Sequence, residues 1–150
     1  MTKSVGRLVS VLYRRNQVYL DAALKEYNLT ASELAFIISL YKKDGISQEE
    51  LSTRLAIDKA ATANALRSLE NKGYVSRTRN PRDRRANIII ITEYARRMEK
   101  GVRKQLRNWT NFLTEDIEEE SVQTMFEVLE KMAKKVESIE LCKKLGGHDE

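Results

Sequence analysis

Residues 47–92 read SQEELSTRLAIDKAATANALRSLENKGYVSRTRNPRDRRANIIIIT, and their pattern decides the fold. Ser47 with Glu50 three residues later is a capping-box signature, in which a hydroxyl and a carboxylate satisfy N–H groups that have no partner within the helix. The helix it opens carries Leu51 and Leu55 and runs about two turns before Ala56 and Ile57 bend the chain. Asp58 caps the next helix, Lys59 to Lys72. Helical periodicity turns Thr62, Ala65, Leu66 and Leu69 inward and Lys59, Ala60, Ala63, Asn64, Arg67 and Ser68 outward. Gly73 ends it.

That outward face is small and polar. Small residues let a helix approach base edges closely, while lysine, asparagine and arginine donate hydrogen bonds to bases and phosphates. An ordinary amphipathic surface helix looks much the same, and the next segment separates the two readings. Tyr74 to Arg79 reads as a strand, Asn80-Pro81-Arg82-Asp83 as a turn, and Ala86 to Ile91 as a returning strand. Five arginines, Arg77, Arg79, Arg82, Arg84 and Arg85, stand against one acid, Asp83, so residues 76–85 carry +4 of the protein's +5. Like charge gathered this way repels itself unless a polyanion neutralises it. The run Ile88 to Ile91 would be prone to aggregation if exposed, so both faces of that strand are expected to be covered.

Upstream, Val5, Leu8, Leu12, Leu20, Ala23, Leu24 and Tyr27 form one apolar stripe, which predicts a single long helix over residues 4–27. Arg14, Arg15, Asn16 and Gln17 interrupt the stripe, facing water or another subunit. Thr30 and Glu33 form a second capping box, opening a helix with Leu34, Ile37, Ile38 and Tyr41 on its apolar side that ends at Asp44-Gly45. Downstream, Thr92 caps a fifth helix with Ala95, Met98, Val102, Leu106, Trp109 and Leu113 at spacings of three and four. A sixth begins among Glu115, Asp116, Glu118, Glu119 and Glu120, acids that suit a helix N-terminus, and carries Val122, Met125, Leu129, Met132, Val136 and Ile139. Both seams need a partner helix, either the first helix or a second copy of the chain. Residues 144–150 read as a polar tail.

The 150 residues fit one domain of mainly α structure with a small β-hairpin, an α+β arrangement. A single cysteine, Cys142, excludes an internal disulfide. No apolar run approaches the roughly 18 residues of a membrane span, and no basic-then-apolar leader precedes the first helix, so no membrane association and a cytoplasmic location are expected. No nucleophile–base pair, metal cluster or phosphate loop is visible, and the lone histidine, His148, lies in the tail. An enzyme is therefore disfavoured, and no catalytic residue, metal or cofactor is expected. The competing readings are a sequence-specific DNA-binding regulator and a winged-helix module for protein interaction or loosely specific, chromatin-like DNA binding.

The stretch from Asp44 to Thr92 closely resembles the winged helix-turn-helix core of the MarR family of bacterial and archaeal transcriptional regulators, and the likeness extends over the whole chain in order and length. Its most specific part is the wing, where aspartate, any residue, arginine and then an apolar strand ending in threonine appears as Asp83, Arg84, Arg85, Ile88 to Ile91 and Thr92. The resemblance implies that the Lys59–Lys72 helix is the recognition helix in the major groove and that the hairpin is a wing reaching an adjacent minor groove, with Arg85 inserted there. It implies that Asp83 orients the wing arginines and that Arg77 suits phosphate contact. It further implies a homodimer built from residues 1–29 and 92–143, a DNA-binding lobe over 30–91, and a pseudo-palindromic operator on double-stranded DNA. Repression relieved by a small anionic or phenolic effector is a common family behaviour. For such a ligand Tyr13, Arg14 and Tyr41 would pair aromatic walls with one cation, although core tyrosines and a solvated or intersubunit arginine are the plainer reading. One departure is Ala95, which stands where the family usually has glycine.

Overall fold

The computed structural model describes residues 3–83, 87–137 and 145. Along them run α1 (Val5–Ala23), a 3-10 turn (Lys25–Tyr27), α2 (Ala31–Lys42), β1 (Ile46–Ser47), α3 (Gln48–Leu55), α4 (Lys59–Asn71), β2 (Val75–Arg79), β3 (Asn87–Ile91), α5 (Glu93–Thr114) and α6 (Glu119–Glu137). The strands form one antiparallel sheet in the order β1-β3-β2. This is the mainly helical winged-helix arrangement that the sequence implies. None of these helices is long and apolar enough to cross a membrane, among the described residues.

Packing divides the chain into two compact units, Met1–Trp109 and Thr110–Glu150. In the first, Leu24, Ile37, Leu40, Leu51, Leu66, Leu69, Tyr74, Ile89 and Val102 are buried in one cluster. The caps that fix its helices are those the sequence marks. Thr30 and Glu33 form the full capping box of α2, Asp58 accepts from the Ala61 amide at 2.8 Å, and Thr92 from the Ala95 amide at 3.2 Å. At α3 only half of the expected box forms. Ser47 Oγ accepts from the Glu50 amide at 3.0 Å, but the Glu50 carboxylate turns to Arg54 at 2.9 Å and Lys43 at 3.4 Å.

The single helix predicted over 4–27 is broken. α1 stops at Ala23, the 3-10 turn follows, and Asn28 reverses the chain in the left-handed region at φ 54°. Asp21 then accepts from the Ala31 amide at 2.8 Å, tying α1 to the start of α2 and letting Leu24 and Leu29 enter the core together. Asparagine is one of the few residues with a side chain that takes up this conformation readily.

Short β1 is absent from the sequence reading. It pairs Ile46 with Ile89 and Ser47 with Ile88, making β3 the central strand. Ile89 and Ile91 are buried and Ile88 and Ile90 half-buried, so the isoleucine run is covered fully on its helix-facing side and partly on the other.

In the second unit the carbonyl of Thr114 accepts from the Ile117 amide at 3.0 Å, and Glu119 and Glu120 occupy the first turn of α6. Its apolar positions Phe126, Leu129, Met132 and Val136 are exposed on the single chain. Ile139, Cys142, His148 and most of the tail lie outside the described residues.

Candidate nucleic-acid interface

The geometry begins at the turn between α3 and α4. Ala56 adopts the left-handed conformation at φ 51°, and Ser52 locks the bend by donating its hydroxyl to the Ile57 carbonyl at 2.6 Å while its own carbonyl accepts from the Ile57 amide. α4 then buries Thr62, Leu66 and Leu69, with Ala65 half-buried. Lys59, Ala60, Asn64 and Arg67 are consequently exposed and Ala63 half-exposed on the opposite side. Arg67 donates to Asn64 Oδ1 at 3.3 Å, and Lys59 lies 3.9 Å from Glu49. Ser68 turns away from this face, donating its hydroxyl to Glu33 at 2.6 Å.

The hairpin stands beside α4. Arg79 and Arg82 are exposed, and the Arg82 amide donates to Asn80 Oδ1 at 3.0 Å, a side-chain turn that shapes the tip. Arg77 is oriented differently, its guanidinium engaged by Glu70 and Gln48. Asp83 is exposed and, with Ser47, Gln48, Lys59 and Asn87, borders a recess of about 480 Å³ where the wing meets the starts of α3 and α4. Arg85, on which the minor-groove expectation rests, lies outside the described residues, as does Arg84. The root of the wing is held by Asp44, which accepts from the Ile91 amide at 2.9 Å and pairs with Arg96 of α5 at 2.7 Å.

An exposed small-polar helix beside an arginine-bearing hairpin is a surface shaped for nucleic acid. Residues 29–86 match the model of the MarR family. The crystal structure of a MarR transcriptional regulator from Methanosarcina mazei Go1 superposes with a TM-score of 0.85 and 33% identity, covering 87% of this chain and 94% of that one. This chain belongs to the MarR family. The HTH-type transcriptional regulator YdgJ of Bacillus subtilis (strain 168) is similar as well, at 30% identity over 112 residues, 75% of this chain and 68% of the relative. A cysteine-to-serine mutant of Escherichia coli MarR, solved in complex with operator DNA, shares the fold with a TM-score of 0.76 at 24% identity, over 85% of this chain and 92% of that one. As a MarR-family protein it is a DNA-binding transcriptional regulator and not an enzyme.

The three residues nominated for an effector are placed apart in their roles in this MarR-family chain. Tyr13 is 61% exposed on α1, and Arg14 donates to Ser10 and borders a shallow depression with Val11, Arg15 and Val18. Tyr41 is half-buried, donates its hydroxyl to the Ala95 carbonyl at 2.6 Å, and lies 5.6 Å beneath the Arg103 guanidinium. Burial, reinforced by Glu99 and opposed by Arg103, pushes its pKa up to about 12, so it remains a neutral donor near pH 7. The position expected to hold glycine, Ala95, is fully buried and accepts that bond.

Sequence reading missed Glu33 as more than a cap. It is 5% exposed, and besides the Thr30 amide it accepts from Ser68 at 2.6 Å and Lys72 at 2.9 Å on the inner side of α4. Its partners Ser68 on α4 and Lys72 at the α4 C-cap are 35 and 39 residues away, and no local pattern announces that.

Proposed function

We propose that this MarR-family protein is a homodimeric, sequence-specific regulator that represses transcription from a pseudo-palindromic operator, with α4 as recognition helix and the β2–β3 hairpin as wing. The observation that carries this is the exposed face of Lys59, Ala60, Asn64 and Arg67 beside the exposed Arg79 and Arg82. Base-reading donors are thereby set next to cations that contact phosphates. Arg85 would insert into the minor groove, with Asp83 orienting the wing arginines. The E. coli MarR mutant solved with operator DNA supports the same mode of binding for this fold.

Dimerisation is supported by apolar side chains exposed on the single chain. On α1 Leu8 is 52%, Leu12 47% and Val18 66% exposed, and Phe126, Met132 and Val136 are exposed on α6. A soluble protein rarely leaves so many large apolar groups uncovered. On this reading residues 1–29 and 92–143 supply the dimer and 30–91 the DNA-binding lobe, and a two-fold protein reads two half-sites about one helical turn apart. Relief by a small anionic or phenolic effector at Tyr13, Arg14 and Tyr41 completes the proposal.

The test is selection of bound fragments from genomic DNA, followed by competition. The selected site should resist displacement by arbitrary sequence by a factor of about 1,000 or more. Equal displacement by random DNA would leave a loosely specific binder in place of a regulator with an operator.

A further inference from the structure

Arg77 opposes Ile89 in the β2–β3 ladder, two residues along from the buried Val75–Ile91 pair. Strand alternation therefore directs its side chain to the helix-packed face of the sheet. The side chain is only 25% exposed. Its Nε–H donates to Glu70 Oε2 at 3.1 Å and its Nη1 to Gln48 Oε1 at 2.8 Å. Glu70 lies in the last turn of α4 and Gln48 is the first residue of α3. One planar guanidinium thus links the wing to both helices of the helix-turn-helix, a geometry that a lysine ammonium could not reproduce.

We propose that Arg77, with Glu70 and Gln48, is a brace that sets the position of the wing relative to the recognition helix and thereby tightens operator selection, without itself contacting DNA. The inference rests on the reading that α4 and the wing engage one operator together. Two reading elements held in register bind a matching site without first being ordered, whereas a swinging wing must be immobilised on binding. A phosphate contact from Arg77 would instead require it to leave a carboxylate and an amide that it already holds.

E70Q preserves the shape of the side chain and removes its charge. The pair is partly exposed, so thermal unfolding of E70Q should change little. In the free protein, amide hydrogen exchange at Thr78, Arg79 and Asn87 should quicken about threefold or more as the wing loosens. Affinity for the selected operator should fall about five- to tenfold, with random-DNA affinity and salt slope unchanged. Tighter binding of both DNAs with a salt slope steeper by about one would make Arg77 a phosphate contact restrained by Glu70 and overturn the brace. Unchanged exchange in the free protein would overturn it too. If the wild-type protein shows no operator preference, sequence-specific regulation fails instead, while the exchange measurement still decides the brace.

Discussion

Glu33 and Lys72 form an ion pair at 2.9 Å on the inner side of the helix-turn-helix, joining the start of α2 to the end of α4. Burial raises the pKa of Glu33. The hydrogen bonds from Ser68, Lys72 and Thr30 and the charge of Lys72 outweigh that and hold it below its ordinary 4.5. Because the folded value is the lower one, the stabilisation is fully present above pH 4.5 and is lost as pH falls through the folded value. E33Q should lower stability to urea at pH 7 by about 1–3 kcal/mol, since it leaves Lys72 without its counter-charge. The difference from wild type should stay constant down to about pH 5 and then shrink, as acid neutralises Glu33 itself. A constant difference down to pH 3 would show that the charge of Glu33 contributes nothing.

The two sides of α4 should respond differently. Asn64→Ala and Arg67→Ala remove exposed donors and should weaken operator binding by about 1–3 kcal/mol each with little change in unfolding. Ser68→Ala removes the hydroxyl bonded to Glu33 and should cost about 1–2 kcal/mol of stability, with operator affinity largely retained once the folded fraction is accounted for. Gel-shift titrations paired with urea unfolding measure both. On the wing, Arg82→Ala should weaken operator and random DNA alike and reduce the salt slope by about 0.9.

Ala56 holds the left-handed corner of the helix-turn-helix with a Cβ present. Ala56→Gly should relieve that strain and raise stability by about 0.5–1 kcal/mol, after the entropy glycine adds to the unfolded chain. Ala56→Val should lower it. Thermal unfolding midpoints would show the order Gly, Ala, Val, and any other order would mean that the φ of 51° costs nothing.

Leu12 lies in the exposed apolar stripe of α1. Leu12→Glu should convert the proposed dimer to monomers in sedimentation equilibrium while leaving the far-ultraviolet spectrum helical, because the residue is not part of the monomer core. Operator binding should then lose the gain of engaging two half-sites together, about 100-fold or more. A variant that stays dimeric would place the interface elsewhere.

The sequence by itself determined the side-chain helix caps, the two faces of α4 and the place of the wing, whose causes lie within a few residues along the chain. Thr30, Ser47, Asp58 and Thr92 cap their helices because a short polar side chain reaches an amide three residues on. The period of three and four in α4 separates Leu66 and Leu69 from Asn64 and Arg67, and the arginine-rich turn marks the wing. The reversal at Asn28, the pairing of β1 with β3, the turning of Ser68 toward Glu33 and of Arg77 toward Glu70 were decided by tertiary structure alone. Each depends on which distant element packs against the residue. A side chain at the edge of a helical face, like Ser68, or on an alternating strand, like Arg77, can turn toward solvent or toward the core. Its choice follows the nearest compensating charge, and only the folded chain brings that charge within reach.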